Sequence, residues 1–301
     1  MADGEIWNRD KTLSFAMPKP KAQLRGRDIR PRQSLGQNFL CDPQAAEAIV
    51  RLARITSQDT IVEIGAGTGA LTVPAARTAK KVFAIETDGR LIDPLTEALR
   101  DNGLDNVEVI HRDFMTMDLD RLYAQAGRPL IVLGNLPYYI SSQILVRLVE
   151  QRRLIERAVL MFQRELAERI TAAPGGRDYG RLSAMLRYCA EVKPLMRVRS
   201  ELFFPRPKVA SAVIGIVFKD PASGPLPDEE RLFEIIKIAF AQRRKTIKNA
   251  LSSGLTQATP AVWEEILRRA GIAPEKRAEA LDAADYVDIC KYYMELAENR
   301  S

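Results

Sequence analysis

The sequence predicts an α/β protein, with a parallel sheet covered by helices and a smaller all-helical region after it. Three observations carry this. Short apolar runs at 60–64, 81–85, 107–110, 130–134 and 158–162 alternate with helical stretches, the pattern of βαβ units feeding a parallel sheet. A glycine turn, Gly65-Ala66-Gly67-Thr68-Gly69, joins the first run to a helix. Beyond Asp220-Pro221-Ala222-Ser223-Gly224-Pro225-Leu226-Pro227, a linker by composition, the chain reads as helix only.

Taken in order, residues 1–30 lack apolar periodicity. Lys19, Lys21, Arg25, Arg27, Arg30 and Arg32 cluster at their end among prolines, so this stretch is expected to be a disordered basic arm. Asp42 and Pro43 are suited to the N-cap and first position of a helix over about 43–53. Strand 60–64 leads through the glycine turn into a helix from about Ala70 to Ala79. A second strand ends at Glu86, a helix covers about 90–100, and a third strand ends near Asp113. The run Leu130-Ile131-Val132-Leu133-Gly134 is apolar throughout, as in a strand buried on both faces, and it delivers Asn135 at its carboxyl end. A fifth strand at 158–162 and a helix over about 182–189 follow. Stretches 195–199 and 212–218 are expected to close the sheet as a hairpin. Between them Phe203-Phe204-Pro205-Arg206-Pro207-Lys208-Val209 is held extended by its two prolines. Helices are expected over about 228–241, 243–253, 260–270 and 284–299. This divides the chain into an arm (1–30), a sheet domain (31–220) and a helical domain (228–301).

Composition narrows the chemistry. The 301 residues are 46% hydrophobic and 28% charged, an ordinary globular balance, and 45 Lys and Arg against 39 Asp and Glu give a net charge of +6, which permits a polyanionic partner. Cys41, Cys189 and Cys290 are far apart, against a disulfide framework or a zinc site and in keeping with free thiols in a reducing cytoplasm. His111 is the only histidine, which disfavours a His-based metal centre or a Ser-His-Asp triad. No apolar run approaches the roughly 20 residues that span a bilayer, and Asp3, Glu5 and Asp10 do not suit a presequence.

Glycines between a strand and a helix let the backbone approach a ligand closely, and an acid ending the next strand, here Glu86, is placed for ribose hydroxyls. With Ala70 the turn also fits a dinucleotide fingerprint, so a nicotinamide-dependent oxidoreductase competes on this motif alone. Asp113 offers an acceptor for an adenine amine, or a helix N-cap. Asn135-Leu136-Pro137-Tyr138 fits alkylation of an amine better than hydride transfer. Asn135 supplies a side-chain acceptor, Pro137 fixes the carbonyls near Leu136, and Tyr138 supplies a plate for a base. Phe203 is either the opposite plate or an aromatic plugging the core.

Those segments, with Gln37-Asn38-Phe39-Leu40, the Phe203–Val209 loop residues and Ala239-Phe240-Ala241-Gln242-Arg243-Arg244-Lys245-Thr246-Ile247, resemble the ribosomal RNA adenine dimethyltransferases that act on the small subunit. The resemblance runs from about Arg32 to the C-terminus. It implies a class I S-adenosylmethionine-dependent methyltransferase fold, Rossmann-like, with a seven-stranded sheet whose last strand is antiparallel. It implies cofactor contacts at Asn38, Leu40, Gly65, Gly67, Glu86, Asp113 and Asn135, with no metal. It implies transfer of two methyl groups to each of two adjacent adenines in a hairpin near the 3′ end of small-subunit ribosomal RNA, by a cytoplasmic, monomeric enzyme acting during subunit biogenesis. Tyr139 stands where relatives often carry Asn or His. The basic segment Arg243, Arg244, Lys245 and Lys248, read as the start of a helix, is expected to meet RNA backbone. Two other assignments remain: an enzyme of the same build acting on large-subunit RNA, and a non-catalytic assembly or transcription factor that kept the fold.

Overall fold

The computed structural model describes residues 19–219, 228–255 and 258–298. Its centre is a seven-stranded sheet in the order β4-β3-β2-β5-β6-β9-β7. The strands are β2 (Thr60–Ile64), β3 (Lys81–Glu86), β4 (Val107–His111), β5 (Leu130–Asn135), β6 (Ile155–Gln163), β7 (Ala190–Val198) and β9 (Ser211–Phe218). β4 through β6 pair in parallel, and β9 is antiparallel to both β6 and β7. A separate two-stranded ribbon pairs β1 (Phe39–Leu40) with β8 (Phe203–Phe204).

The alternation of side chains along β2 and β5 explains the two layers. Ile61, Ile131 and Leu133 face α2 (Pro43–Leu52) and α3 (Thr72–Ala76), in one apolar cluster with Ile49, Ala75 and Phe203. Val62, Ile64 and Val132 face the opposite layer, which contains α6 (Ser141–Glu150) and α8 (Arg181–Cys189). Both faces are buried, so these strands are apolar throughout rather than alternating. α2 starts as its sequence implies, with the Asp42 carboxylate accepting from Ala45 N at 2.7 Å and Pro43 in the first turn.

The structure departs from the sequence reading in several places. The end of the arm is not disordered: Pro20–Gly26 form α1, whose Leu24 is fully buried against Phe39 and Leu91, while Arg27 pairs with Glu97. One buried leucine flanked by charges gives too weak a periodic signal to show in the sequence. The helix after the glycine turn is shorter than expected, Thr72–Ala76, because Ala66–Leu71 are taken up by the turn itself. Between them α4 (Ile92–Asp101) and the reported α2 match their expected spans, while α5 (Leu119–Ala126), α6 and α7 (Arg164–Thr171) lie in stretches the sequence reading left undivided. β7 and β9 are neighbours as expected, but the chain between them leaves the sheet to form β8. Residues 1–18 of the proposed arm and the linker 220–227 lie outside the described residues.

The C-terminal helices α9 (Glu229–Ala241), α10 (Ile247–Gly254), α11 (Pro260–Arg269) and α12 (Ala283–Glu298) do not form a separate core. Leu232, Ile235, Ile236, Trp263 and Tyr286 belong to the same apolar cluster as Val62, Leu186 and Ile214 of the sheet layer. Aromatic contacts cross this join: Tyr179 meets the Phe240 ring edge-on at 5.9 Å, and Phe240 lies 6.1 Å from Tyr286. Trp263 stacks on Tyr293 at 5.1 Å.

The basic segment expected to begin a helix is instead a turn. α10 starts at Ile247 with Thr246 as its N-cap, so Arg243, Arg244 and Lys245 precede it. The Arg243 guanidinium donates to the carbonyls of Arg177 at 2.8 Å and Tyr179 at 3.2 Å and pairs with Glu279 at 3.2 Å. It therefore staples the α9–α10 turn to the loop before α8. Arg243→Ala should cost about 1 kcal/mol of folding stability, the net value of a charged hydrogen-bonding group that is partly exposed. Arg244→Ala, at an exposed position, should be neutral. Urea midpoints for the two variants measure the difference, and equal midpoints would remove Arg243 from the staple.

Candidate active site

The carboxyl ends of β2, β3 and β5 converge on one cleft, as doubly wound sheets place their ligands. Asn38, Leu40, Gly65, Gly67, Glu86, Asn135, Leu136, Pro137 and Tyr138 all line it. The larger hollow of about 710 Å³ between α8, β7 and α12 contains none of these residues.

The glycine turn is built for close approach. Gly67 has φ +58°, and a Cβ there would meet the Phe39 ring at 3.3 Å. The N–H groups of Gly65 and Ala66 both reach the Ile85 carbonyl, at 2.9 and 3.1 Å, which ties the turn to β3. Glu86 then completes it. Its carboxylate accepts from Gly67 N at 2.8 Å and from Asp88 N at 2.9 Å. Burial raises the Glu86 pKa above the usual carboxylate range, and these backbone donors partly offset that. Each oxygen takes one of these donors and keeps further acceptor capacity for hydroxyls of a ligand.

Asp88 is a structural acid that the sequence did not single out. It receives Arg90 Nε at 2.9 Å and Gln37 Nε2 at 2.8 Å, and the Arg90 hydrogen bond is the main reason its pKa is well below the ordinary range. Gln37 in turn accepts from Arg32 N at 2.7 Å. The network clamps the segment before β1 over the cleft. Its signal was present in Gln37 but not legible, since the partner lies 51 residues away.

At the β5 end, Gly134 is required: a Cβ there would come within 2.9 Å of the Ile64 carbonyl. Asn135 Nδ2 donates to the Asn38 carbonyl at 2.8 Å, and Asn38 Nδ2 donates to the Gly36 carbonyl at 3.0 Å. Fixing the amide nitrogen turns the Asn135 side-chain oxygen away from Asn38. The Pro137 carbonyl accepts from Ser141 Oγ at 2.7 Å, which orders the Leu136–Tyr139 turn. Leu136 N donates to Met161 O at 3.2 Å, and no donor among the described residues takes the Leu136 carbonyl. Tyr138 is half-buried; burial pushes its phenol up, with Ser211 partly opposing. Tyr139 is 56% exposed at the rim.

Two expected site residues are elsewhere. Phe203 is 5% exposed and packs in the α2-side cluster, paired with Leu40 through β1–β8, so it lies in the core and is not among the residues that line the cleft. Asp113 is exposed, caps the turn after β4 by accepting from Met115 N at 2.9 Å, and does not line the cleft. Glu63, in mid-strand on β2, does line it and was not anticipated. Of the basic set, Arg243 is the staple described above, Lys248 pairs with Glu264 at 3.0 Å, and Arg244 and Lys245 are exposed.

S-adenosylmethionine fits this donor and acceptor set. A Cβ at Gly67 would crowd the Phe39 ring, Glu86 keeps acceptor capacity suited to ribose hydroxyls, and the buried Glu63 Oε2 has no hydrogen-bond partner within the protein.

Comparison with known proteins agrees. Residues 29–295 match the profile of the family described as ribosomal RNA adenine dimethylase. The ribosomal RNA small subunit methyltransferase A of Desulforapulum autotrophicum is 49% identical over 90% of this chain and 94% of its own length. Among solved structures, a dimethyladenosine transferase from Plasmodium falciparum superposes with a TM-score of 0.75 at 28% identity, covering 86% of this chain and 98% of that one. The 23S rRNA methyltransferase ErmE superposes with a TM-score of 0.64 at 27% identity, covering 84% of this chain and 98% of that one. A strand-end asparagine turn, a glycine turn closed by Glu86 and a family match across nearly the whole chain lead to one conclusion: the chain belongs to the ribosomal RNA adenine dimethylase family of S-adenosylmethionine-dependent methyltransferases.

Proposed function

We propose that this protein transfers two methyl groups to N6 of each of two adjacent adenosines in a hairpin near the 3′ end of small-subunit ribosomal RNA. It acts as a monomer, on a pre-ribosomal small subunit, in the cytoplasm. The observation that carries the chemistry is the Asn135 amide, whose nitrogen is held by the Asn38 carbonyl at 2.8 Å while its oxygen stays available. Together with the Leu136 carbonyl it offers two fixed acceptors at one strand end.

The N6 lone pair of adenine is delocalised into the ring and is a poor nucleophile. When bound, the cofactor supplies an electrophilic methyl group on a sulfonium. Asn135 Oδ1 and the Leu136 carbonyl each accept one N–H of the amine. That arrangement favours a more tetrahedral nitrogen with its lone pair aimed along the line of attack. Positioning and preorganised dipoles then lower the barrier, with no side chain required to remove a proton beforehand. Tyr138 stacks on the adenine, which must first leave any base stack. Pro137 keeps the turn from relaxing. Phe203 supports Leu40 beneath the cleft rather than touching the base.

Arg244 and Lys245 are the exposed cations of the α9–α10 turn and contact RNA phosphates in this reading. The match to a small-subunit enzyme at 49% identity favours that substrate over large-subunit RNA.

Asn135→Ala should lower single-turnover methyl transfer by roughly 10²-fold, the scale of losing one preorganised hydrogen-bonding group. Binding to unmethylated small subunits should persist; transfer at the wild-type rate would remove Asn135 from the mechanism. Glu86→Gln should weaken S-adenosylmethionine binding by about 1.5–3 kcal/mol, the value of hydrogen bonds to a charged group. Calorimetry giving unchanged affinity would mean that Glu86 serves only the turn. Reversing Arg244 and Lys245 together to Glu should weaken subunit binding and reduce its salt slope by about one per lost phosphate contact. An unaltered slope would make this turn a solvated corner.

A further inference from the structure

Tyr139 follows the stacking residue Tyr138 but takes no part in holding the amine. Among the described residues Leu52, Tyr139, Val209 and Val217 are the large apolar side chains left exposed, and of these four only Tyr139 lines the cleft. Single exposed apolar side chains are ordinary on a protein surface, so the position of this one decides its meaning.

The turn that carries it is fixed on both sides. The Pro137 carbonyl closes it, accepting from Ile140 N at 3.3 Å and from Ser141 Oγ at 2.7 Å. Tyr138 and Tyr139 are therefore its two central residues. Beyond them Ser141 is buried, and Ile140 packs against the apolar cluster that contains α6. On the other side lies the segment before β1, where a Cβ on Gly36 would meet Tyr138 N at 3.3 Å and the Tyr139 ring at 3.6 Å. From this shared support the two rings diverge. Tyr138 buries its hydroxyl beside Ser211, so its ring lies within the cleft. Tyr139 stays at the mouth, 56% exposed.

A base drawn into a pocket leaves its stack, and the base beside it is left with one face bare. Proteins that bind splayed RNA bases receive them on aromatic side chains. Consecutive residues stand about 3.8 Å apart at Cα, on the scale of one stacked nucleotide step, roughly 3.4 Å. A tyrosine on a fixed turn offers such a contact at little conformational cost. We propose that Tyr139 is the stacking plate for the nucleotide next to the adenosine undergoing transfer, and that it makes the enzyme prefer a purine at that neighbouring position. On two adjacent adenosines, the plate holds one while the other is methylated. The proposal rests on the reading of the cleft as a site of adenosine methylation and adds to it a recognition contact outside the pocket.

The test is single-turnover methyl transfer, at saturating S-adenosylmethionine, to unmethylated small subunits. These are natural, or carry uridine or guanosine in place of one of the two adenosines, so that the remaining target has a changed neighbour. Tyr139→Leu should lower transfer efficiency on natural subunits roughly ten-fold, the scale of one lost base stack. Its affinity for S-adenosylmethionine, measured by calorimetry, should not change. Tyr139→Phe, which keeps the ring, should recover the loss. Uridine at the stacked position should slow wild type but add little to the defect of Tyr139→Leu, because the stack is already gone. Guanosine there should leave the difference between the two proteins intact. Transfer by Tyr139→Leu at the wild-type rate, an equal loss in Tyr139→Phe, or uridine costing both proteins the same factor would overturn the proposal. Weakened cofactor binding by Tyr139→Leu would also overturn it, by placing the ring in the cofactor site. Absence of transfer to adenosine N6 by wild type would instead reject the functional reading beneath it.

Discussion

The hydrogen bond from Asn135 Nδ2 to the Asn38 carbonyl joins parts of the chain 97 residues apart, and the rest of the cleft is arranged around it. It requires the segment before β1 to lie across the sheet's carboxyl edge. Gln37, Asp88, Arg90 and Arg32 hold that segment there through one buried carboxylate. It also requires β5 to end level with β2, which the close packing of Gly134 on Ile64 allows. What results is an amide with its nitrogen committed to the scaffold at the edge of the cleft. Short polar side chains achieve such fixed aim only when their second group is anchored.

The same edge concentrates acids in an otherwise apolar layer. Glu63, Glu86 and Asp88 are each at most 5% exposed, and each solves its burial differently. Asp88 is compensated by Arg90 and Gln37, Glu86 by backbone donors, and Glu63 faces Thr72 with its Oε2 left without a hydrogen-bond partner. The C-terminal helices cover the opposite face of the sheet, where they complete its apolar cluster.

That sharing of one core bears on how RNA is engaged. The α9–α10 turn is held to the sheet layer by Arg243 and by the Tyr179, Phe240 and Tyr286 rings, so its exposed cations sit on a rigid support. The fold is similar to those of both a dimethyladenosine transferase and a 23S rRNA methyltransferase, so the fold alone does not name a substrate.

By itself the sequence determined the strands of the main sheet, the glycine turn, the Asn135 turn, the strand-end position of Glu86 and the family, because each rests on local signals: apolar runs, turn residues and short motifs. The span of α2 and its Asp42 cap were legible for the same reason. Only the tertiary structure decided which aromatic lines the cleft and which lies in the core. Phe203 and Tyr138 are both aromatics beside prolines, and the difference is the pairing of Phe203 with Leu40 from a segment more than 160 positions earlier. It likewise decided that residues 20–26 dock as a helix, that Arg243 faces inward to carbonyls while Arg244 faces out, and that Asp113 caps its own turn. Glu63 was in plain sight between two apolar residues, but its meaning depends on a missing hydrogen-bond partner. The presence or absence of a partner is a property of three-dimensional neighbours, which no spacing along the chain records.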